Sequence, residues 1–445
     1  MVRRHEPNPY LAALLQEAGW NGPQLARAVN ALASAAGAAT RYDRTTVAHW
    51  LRGSSPRPPI PALVAQAFTA RLGREVTVAA TGFTTHPGPA PFPLPSATAP
   101  PVTQLAAVAR LDADPAGHTF LTAPPYDLAP PPSSPWPPDP PGPDGTPPVD
   151  VPMAEVAGFF TDLTERRGGE HGRTALAVYL ADSALPLLRR SSARERRDLL
   201  TALAQLTQIL AIMTGDSGTP SLAQRYSRIA CALARQAGDG VTCAIVLRGM
   251  ATQAEALGHH RLALDMAGQG LRAAPAGTPP AVRAYLHSGR AVALASLGEK
   301  TKALRELSLA EHHHGAAPGP PGPFGSYPDA ALHYQRGQVL SAVQDFRSAS
   351  SAFRTSLALR PAQQSRPRSL TRARLAELYL QAGQVDAACV EWQTLLDESG
   401  CLHSAQVRQA LARLCRRAGS FRRARVVQEA VERTVQLSGD RGGPG

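Results

Sequence analysis

From residue 151 onward, apolar residues recur at three- and four-residue intervals, the spacing of one face of an α-helix. The run is interrupted at regular places. Six times a turn residue is followed five positions later by alanine: Gly218/Ala223, Gly258/Ala263, Gly298/Ala303, Gln344/Ala349, Gly383/Ala388 and Gly419/Ala424. The alanines stand 40, 40, 46, 39 and 36 residues apart. A fixed offset repeated at this period predicts a stack of helix hairpins, each leaving an apolar face that its neighbour covers. Two further helices, over 153–167 and 174–189, lead into the stack, and the hairpins run to about residue 437. A Gly/Pro-rich loop at 315–328 accounts for the one long interval. The expected form is a right-handed superhelix whose concave groove takes an extended peptide or a helix.

Residues 8–75 carry a smaller pattern. Pro9 opens a helix that runs to Gly19. Asn21 caps a second, with Pro23 in its first turn, where a missing N–H costs nothing. Leu25, Ala26, Val29 and Leu32 line its apolar side. A loop follows around Gly37–Tyr42. Asp43 then caps a third helix, 44–52, closed by Gly53 as a left-handed C-cap. Pro56, Pro58 and Pro59 turn the chain into a fourth helix, 61–72, with Leu63, Val64, Ala67, Phe68 and Leu72 inward. Half of the 42 prolines fall in residues 81–150, which predicts a disordered, semi-extended tether. Within it, Val102–Leu111 keeps a helix-compatible spacing. Docking on a partner or on the body is open to that stretch, but a merely less disordered piece of tether is the preferred reading. The chain is therefore all-α: a head at 1–80, a tether at 81–150, an α-solenoid at 151–437 and a disordered tail at 438–445.

Composition adds little to the fold and more to the function. Aromatics are 5% of the chain, which favours helices over sheets. Net charge is +12, distributed as +5 over 1–80, −5 over 81–150 and +12 over the rest. A basic head and a basic body suggest contact with a polyanion, most simply nucleic acid. The cysteines are Cys231, Cys243, Cys389, Cys401 and Cys415: odd in number and without a CxxC, as expected of reduced thiols in a cytoplasm. Apolar runs stay short of a membrane span, and Arg3–Arg4 precedes no export-type segment. No P-loop, HExxH or Gly-x-Ser-x-Gly is present, so neither catalysis nor a cofactor is expected. His312–His314 are adjacent on a helix and cannot all face one metal. The arginines from Arg413 to Arg425 read as a solvated end of the solenoid.

The third helix of the head carries the candidate chemistry. Val47, Trp50 and Leu51 fall on one face. Arg44, Thr45 and His49 fall on the other, with Thr46 and Arg52 at its margins. An apolar underside with a donor-rich top suits the DNA major groove, where Arg donates twice to guanine and Thr offers a hydroxyl or a methyl. Asn21, Gln24 and the free N–H groups opening the second helix would face phosphate. The competing reading is a helical module that packs on protein.

Gln24-Leu25-Ala26 followed by Val47, Trp50, Gly53 and Pro56 resembles the helix-turn-helix of phage-repressor-like regulators. That resemblance places Arg44, Thr45 and His49 at base-reading positions and Thr46 against phosphate. The spacing from Ala26 to Val47 exceeds the family's usual one, so either the second helix is extended or the turn is a loop. In the body, Gly337, Ala349, Phe353 and Pro361 resemble the small, small, bulky and proline positions of a tetratricopeptide repeat. Head, tether and body together are similar to actinobacterial regulators that join such a head to such a body, linked with negative control of sporulation and antibiotic production. The resemblance implies a cytoplasmic transcriptional regulator that binds double-stranded DNA, forms a homodimer and takes a peptide or protein in its groove. The rival readings are an interaction scaffold that no longer binds DNA and an intracellular receptor for a peptide signal.

Overall fold

A computed structural model describes residues 7–35, 42–57, 59–72, 76, 78–83, 98–114, 126–131, 153–188, 191–316, 322–421 and 423–439. Every regular element among them is a helix. Most of the expected tether and tail, and all of the expected 37–42 loop but Tyr42, lie outside the described residues. The chain divides into two compact units between Pro93 and Leu94.

The head comprises α1 (Pro9–Ala18), α2 (Gly22–Ala35), α3 (Arg44–Leu51) and α4 (Ile60–Leu72). Leu11, Leu25, Val29, Val47, Val64 and Phe68 form its core, each fully buried. Asn8 fastens the module. Its side chain caps α1 by accepting from Leu11 N at 3.0 Å, and its amide donates to the Thr81 carbonyl at 2.9 Å. Its own N–H donates to Leu51 O at 2.9 Å. Residues 78–83 are thereby held against the helices, and the edge of the Phe83 ring meets Trp50 at a centroid distance of 5.7 Å. The core of the head thus continues past residue 80.

The second unit opens with α5 (Pro101–Ala113), within the stretch expected to be tether. This corrects the sequence reading. Pro101, Leu105, Val108 and Ala109 fall on one face and are buried, so α5 is a core helix of the body. Asp112, fully buried on the same face, receives Arg173 Nη1 at 2.7 Å and the Tyr226 hydroxyl at 2.8 Å. Residues 126–131 are also tied down: Asp127 exchanges two hydrogen bonds with the Gln224 side chain and pairs with Arg228 at 2.8 Å.

Next come α6 (Met153–Arg167), α7 (Arg173–Val178), a π-helical turn at Tyr179–Ala184 and the short α8 (Leu185–Leu187). The hairpins follow as α9 (Ala193–Asp216) with α10 (Pro220–Gln236), α11 (Gly240–Ala256) with α12 (His260–Ala273), α13 (Pro280–Ser296) with α14 (Lys300–His314), α15 (Asp329–Ala342) with α16 (Phe346–Leu359), α17 (Ser365–Gln381) with α18 (Val385–Ser399), and α19 (Ala405–Arg417) with α20 (Arg425–Gly439). By length and composition α9 could cross a membrane, but 67% of its apolar window is buried inside the first hairpins.

The offset of five has a backbone cause. Gly218, Gly258, Gly298, Gln344 and Gly383 all have positive φ. The left-handed residue lets the next N–H reach back five positions: His259 to Ala254, Glu299 to Leu294, Asp345 to Leu340 and Gln384 to Tyr379, at 2.9–3.0 Å. The carbonyl of that same residue then accepts from the alanine N–H, as in Ala263 to His259 and Ala349 to Asp345, both 2.9 Å. The alanine is therefore the first residue of its helix whose N–H makes a helical bond. Ala223, Ala263, Ala303, Ala349 and Ala388 are 0–1% exposed. Gly337 answers from the other helix: a Cβ there would lie 2.6 Å from the Phe353 ring. Gly238 makes the same turn between the first two hairpins, with Cys243 in the alanine's place.

The first helices of the hairpins form one layer, and α6 lies against that layer, touching both α9 and α17. Fully buried Asp216 closes the arrangement. It accepts from Gly169 N at 2.6 Å and Ser404 Oγ at 2.8 Å, while Arg366 Nε stands 2.9 Å away as an unaligned charge contact. Beside it, His403 N donates to Arg167 O at 2.8 Å and Glu170 N to His403 O at 3.1 Å. Segments separated by some two hundred residues are thus stitched together, and part of the inner face is covered by the chain's own α6.

Two stability predictions follow from these features. Asp216→Ala leaves the buried Gly169 N–H and Ser404 hydroxyl without their acceptor and should cost about 2–5 kcal/mol, read by denaturant unfolding of the intact chain. Gln344 is the one non-glycine with positive φ among the described residues. Gln344→Gly removes that strain and should stabilise the body by roughly 0.5–1 kcal/mol after the added backbone freedom of glycine.

Candidate nucleic-acid interface and ligand groove

α3 is set by its caps. Asp43 Oδ1 accepts from Thr46 N at 2.8 Å and from Thr46 Oγ1 at 2.9 Å. These bonds from Thr46 hold the Asp43 carboxyl below its ordinary range. Gly53, at φ 95°, ends the helix in the left-handed region. Val47 and Trp50 face the core, with Leu51 half-buried, while Arg44, Thr45, His49 and Arg52 are exposed and Thr46 half-exposed. The structure therefore brings Arg44, Thr45, His49 and Arg52 onto the solvent side of one short helix. Thr46 has its hydroxyl committed to Asp43.

The start of α2 is a reciprocal cap. Asn21 Oδ1 accepts from Gln24 N at 3.0 Å, and Gln24 Oε1 accepts from Asn21 N at 2.8 Å. Both oxygens are used locally, which leaves the two side-chain NH2 groups as the donors available to a phosphate. A Cβ on Gly22 would lie 3.6 Å from Val47 Cγ1, so the first turn of α2 abuts the core face of α3. Asn21 and Gln24 accordingly lie beside α3.

Asn30 explains how the long α2–α3 spacing is accommodated, and the sequence reading missed it. Its amide donates to Tyr42 O at 2.8 Å, and its Oδ1 accepts from Tyr42 N at 2.9 Å. α2 is extended to Ala35, yet the chain is brought back to its third turn before α3 begins. Tyr42 then packs on Trp50 at 5.4 Å. No local signal distinguishes Asn30 from an ordinary surface amide on a helix.

In the body, the inner layer is polar fifteen residues before the first four alanines, at Gln208, Arg248, Ser288 and Tyr334, whereas Ala373 takes that place before Ala388. Arg248 is 4% exposed. Its guanidinium lies over the Tyr285 ring at 4.3 Å and its Nε donates to Tyr285 O at 3.3 Å. Tyr327 donates to Ser288 Oγ at 3.0 Å, and burial pushes its phenol up to about 12. Glu165, on α6, is pushed up by burial while Arg360 and Arg366 act against it. The adjacent histidines diverge: His313 stacks on His287 at 5.4 Å, whereas His314 meets Asp329 and the edge of Tyr327.

Residues 11–84 match the family described as the SP15 N-terminal domain, so the match covers the head alone. No curated protein matches the chain. Among solved structures, a Rap protein complexed with competence and sporulation factor is similar at 12% identity and a TM-score of 0.40. The alignment covers 65% of this chain and 98% of the Rap chain, a likeness too loose to carry a function across.

Asn30→Ala removes both bonds to Tyr42 and should destabilise the head by about 1–3 kcal/mol, whereas Arg44→Ala should stay within about 0.5 kcal/mol. Calorimetry of the intact chain checks both. The Asp43 contribution is complete above the ordinary value of 3.8 and is lost as pH falls through its lowered pKa. Acid titration should therefore lower the melting temperature of the head less in Asp43→Ala than in the parent chain.

Proposed function

We propose that the chain is a sequence-specific DNA-binding transcriptional regulator of the cytoplasm, acting as a homodimer, whose hairpin stack receives a peptide or protein partner. One observation carries this reading: Arg44, Thr45, His49 and Arg52 share the exposed side of a capped helix whose other side is fixed in the core. A helix held in this way can enter a major groove as a rigid body, with Arg44 and Thr45 in its first turn reaching base edges and His49 one turn further on. The NH2 groups of Asn21 and Gln24, and the opening N–H groups of α2, would clamp the neighbouring phosphate, aided by the helix dipole. The net +5 of residues 1–80 favours the approach.

The body supports binding rather than chemistry. Its first-helix layer carries the half-buried Tyr285 and Tyr334, and its own α6 adds the Glu165 carboxyl, a lining suited to a hydrogen-bonding peptide. Such a ligand would bias the regulator by replacing contacts that α6 makes within the stack. The likeness to actinobacterial regulators makes repression of development or secondary metabolism the role we assign.

The experiment is selection of pooled genomic fragments by the intact protein at about 0.15 M salt with excess nonspecific DNA. A shared short sequence should be recovered and should disappear with Arg44→Ala/Thr45→Ala. Its affinity should fall by about 0.9 log unit per log unit of salt for each phosphate neutralised. Recovery of unrelated fragments, equally well by the double variant, would sink the reading.

A further inference from the structure

The last hairpin departs from the five before it. Its connection is the 3-10 segment Ala418–Phe421, Gly419 is not in the left-handed region, and Ala424 is only half-buried and precedes α20. Without the tight turn, α20 leaves α19 and rests mainly on α18. A cleft of about 520 Å³ opens between α19 and α20, walled by Cys415 and Ala418 on one side and Val427 and Val431 on the other. Arg416 and Glu432 stand on its opposite walls. On the other flank of α20 a second cleft, about 370 Å³, is lined by Cys389, Val390 and Val426. α20 stands between the two as a ridge. Val435 and Val426 on it are 64% and 39% exposed, and Val390 on the neighbouring α18 is 64% exposed.

We propose that this end face is a dimerisation surface whose occupant is a second copy of the same chain, related by a two-fold axis, each α20 seated in a cleft of the other. A terminal hairpin that meets only water needs a polar outer face, and this one carries valines. A ridge flanked by grooves has the shape that packs on its own copy, since side-chain ridges of one helix fill the grooves beside another. A two-fold contact also requires a self-complementary patch. Arg416 and Glu432 supply it: among the described residues neither has an ion-pair partner, and the two-fold sets Arg416 of each copy against Glu432 of the other. A purely apolar or purely anionic occupant would leave one of these charges unmatched.

The inference supplies a surface for the homodimer in the proposed function. It is tested without DNA, so its failure is separate from a failure of DNA recognition. Sedimentation of the intact chain over a range of concentrations should show a monomer–dimer equilibrium. Val435→Glu and Arg416→Glu should each weaken self-association by about tenfold or more, the equivalent of at least 1.4 kcal/mol. The combined Arg416→Glu/Glu432→Arg chain should dimerise again, because the pair is rebuilt with reversed sign. Unchanged circular dichroism melting confirms that the variants fold, and Val390→Glu on the second cleft is the alternative should one of them fail. A chain that is monomeric at every concentration overturns the proposal. So does a dimer indifferent to Val435→Glu and Val390→Glu, or a folded charge-swapped chain that stays monomeric.

Discussion

Each tight hairpin in the body closes through one backbone bond that a left-handed residue makes possible. Once that residue has positive φ, the next N–H reaches the carbonyl five positions earlier, and the second helix starts with its axis already turned against the first. The five alanines that follow these turns are buried where the second helix begins, and Cys243 takes the same place after Gly238. Burial of the remaining apolar face then depends on the following hairpin, so the stack propagates from a local constraint. Where the turn is missing, at Ala418–Phe421, the two helices part and an apolar cleft appears.

A stack made this way has ends, and the chain deals with them differently. At the start, α5 and residues 126–131 are laid onto the first hairpin, which covers Tyr226 and its neighbours with apolar surface and a buried Arg173–Asp112 pair. α6 then crosses to α17, and Asp216 holds the crossing with three partners from distant segments. A single carboxylate at 0% exposure can do this because every one of its contacts is a donor or a cation. The inner layer is therefore not an empty channel, and any ligand must share it with α6.

The head follows a different logic. The exposed face of α3 is set by what fixes the helix from below rather than by what is exposed above. Val47 and Trp50 hold the underside, Asp43 and Gly53 set the ends, and the Asn30–Tyr42 pair sets where the helix begins. Arg44 and His49 are then positioned with no hydrogen bond or ion pair from their side chains among the described residues. The two faces of α3 were legible because polar residues at helical spacing over an apolar underside mark which side of a helix stays in solvent. The role of Asn30 was not, since its partner lies twelve positions away across residues with no regular pattern.

The sequence by itself determined the helices, the two faces of α3 and the places where the body turns, because each rests on spacing within a few residues: 3.6-residue periodicity, capping by Asn21 and Asp43, and a glycine five before an alanine. Even Gln344, a glutamine at a glycine position, was marked by its distance from Ala349. Tertiary structure alone decided that α5 is core rather than tether, that α6 lies on the inner layer, that Asp216 joins first hairpin to last and that α20 parts from α19. Each of these depends on surfaces that meet only after distant segments are packed. The apolar stripe of α5 within its proline-rich surroundings, or the lone carboxylate of Asp216, has no partner within reach of a local pattern.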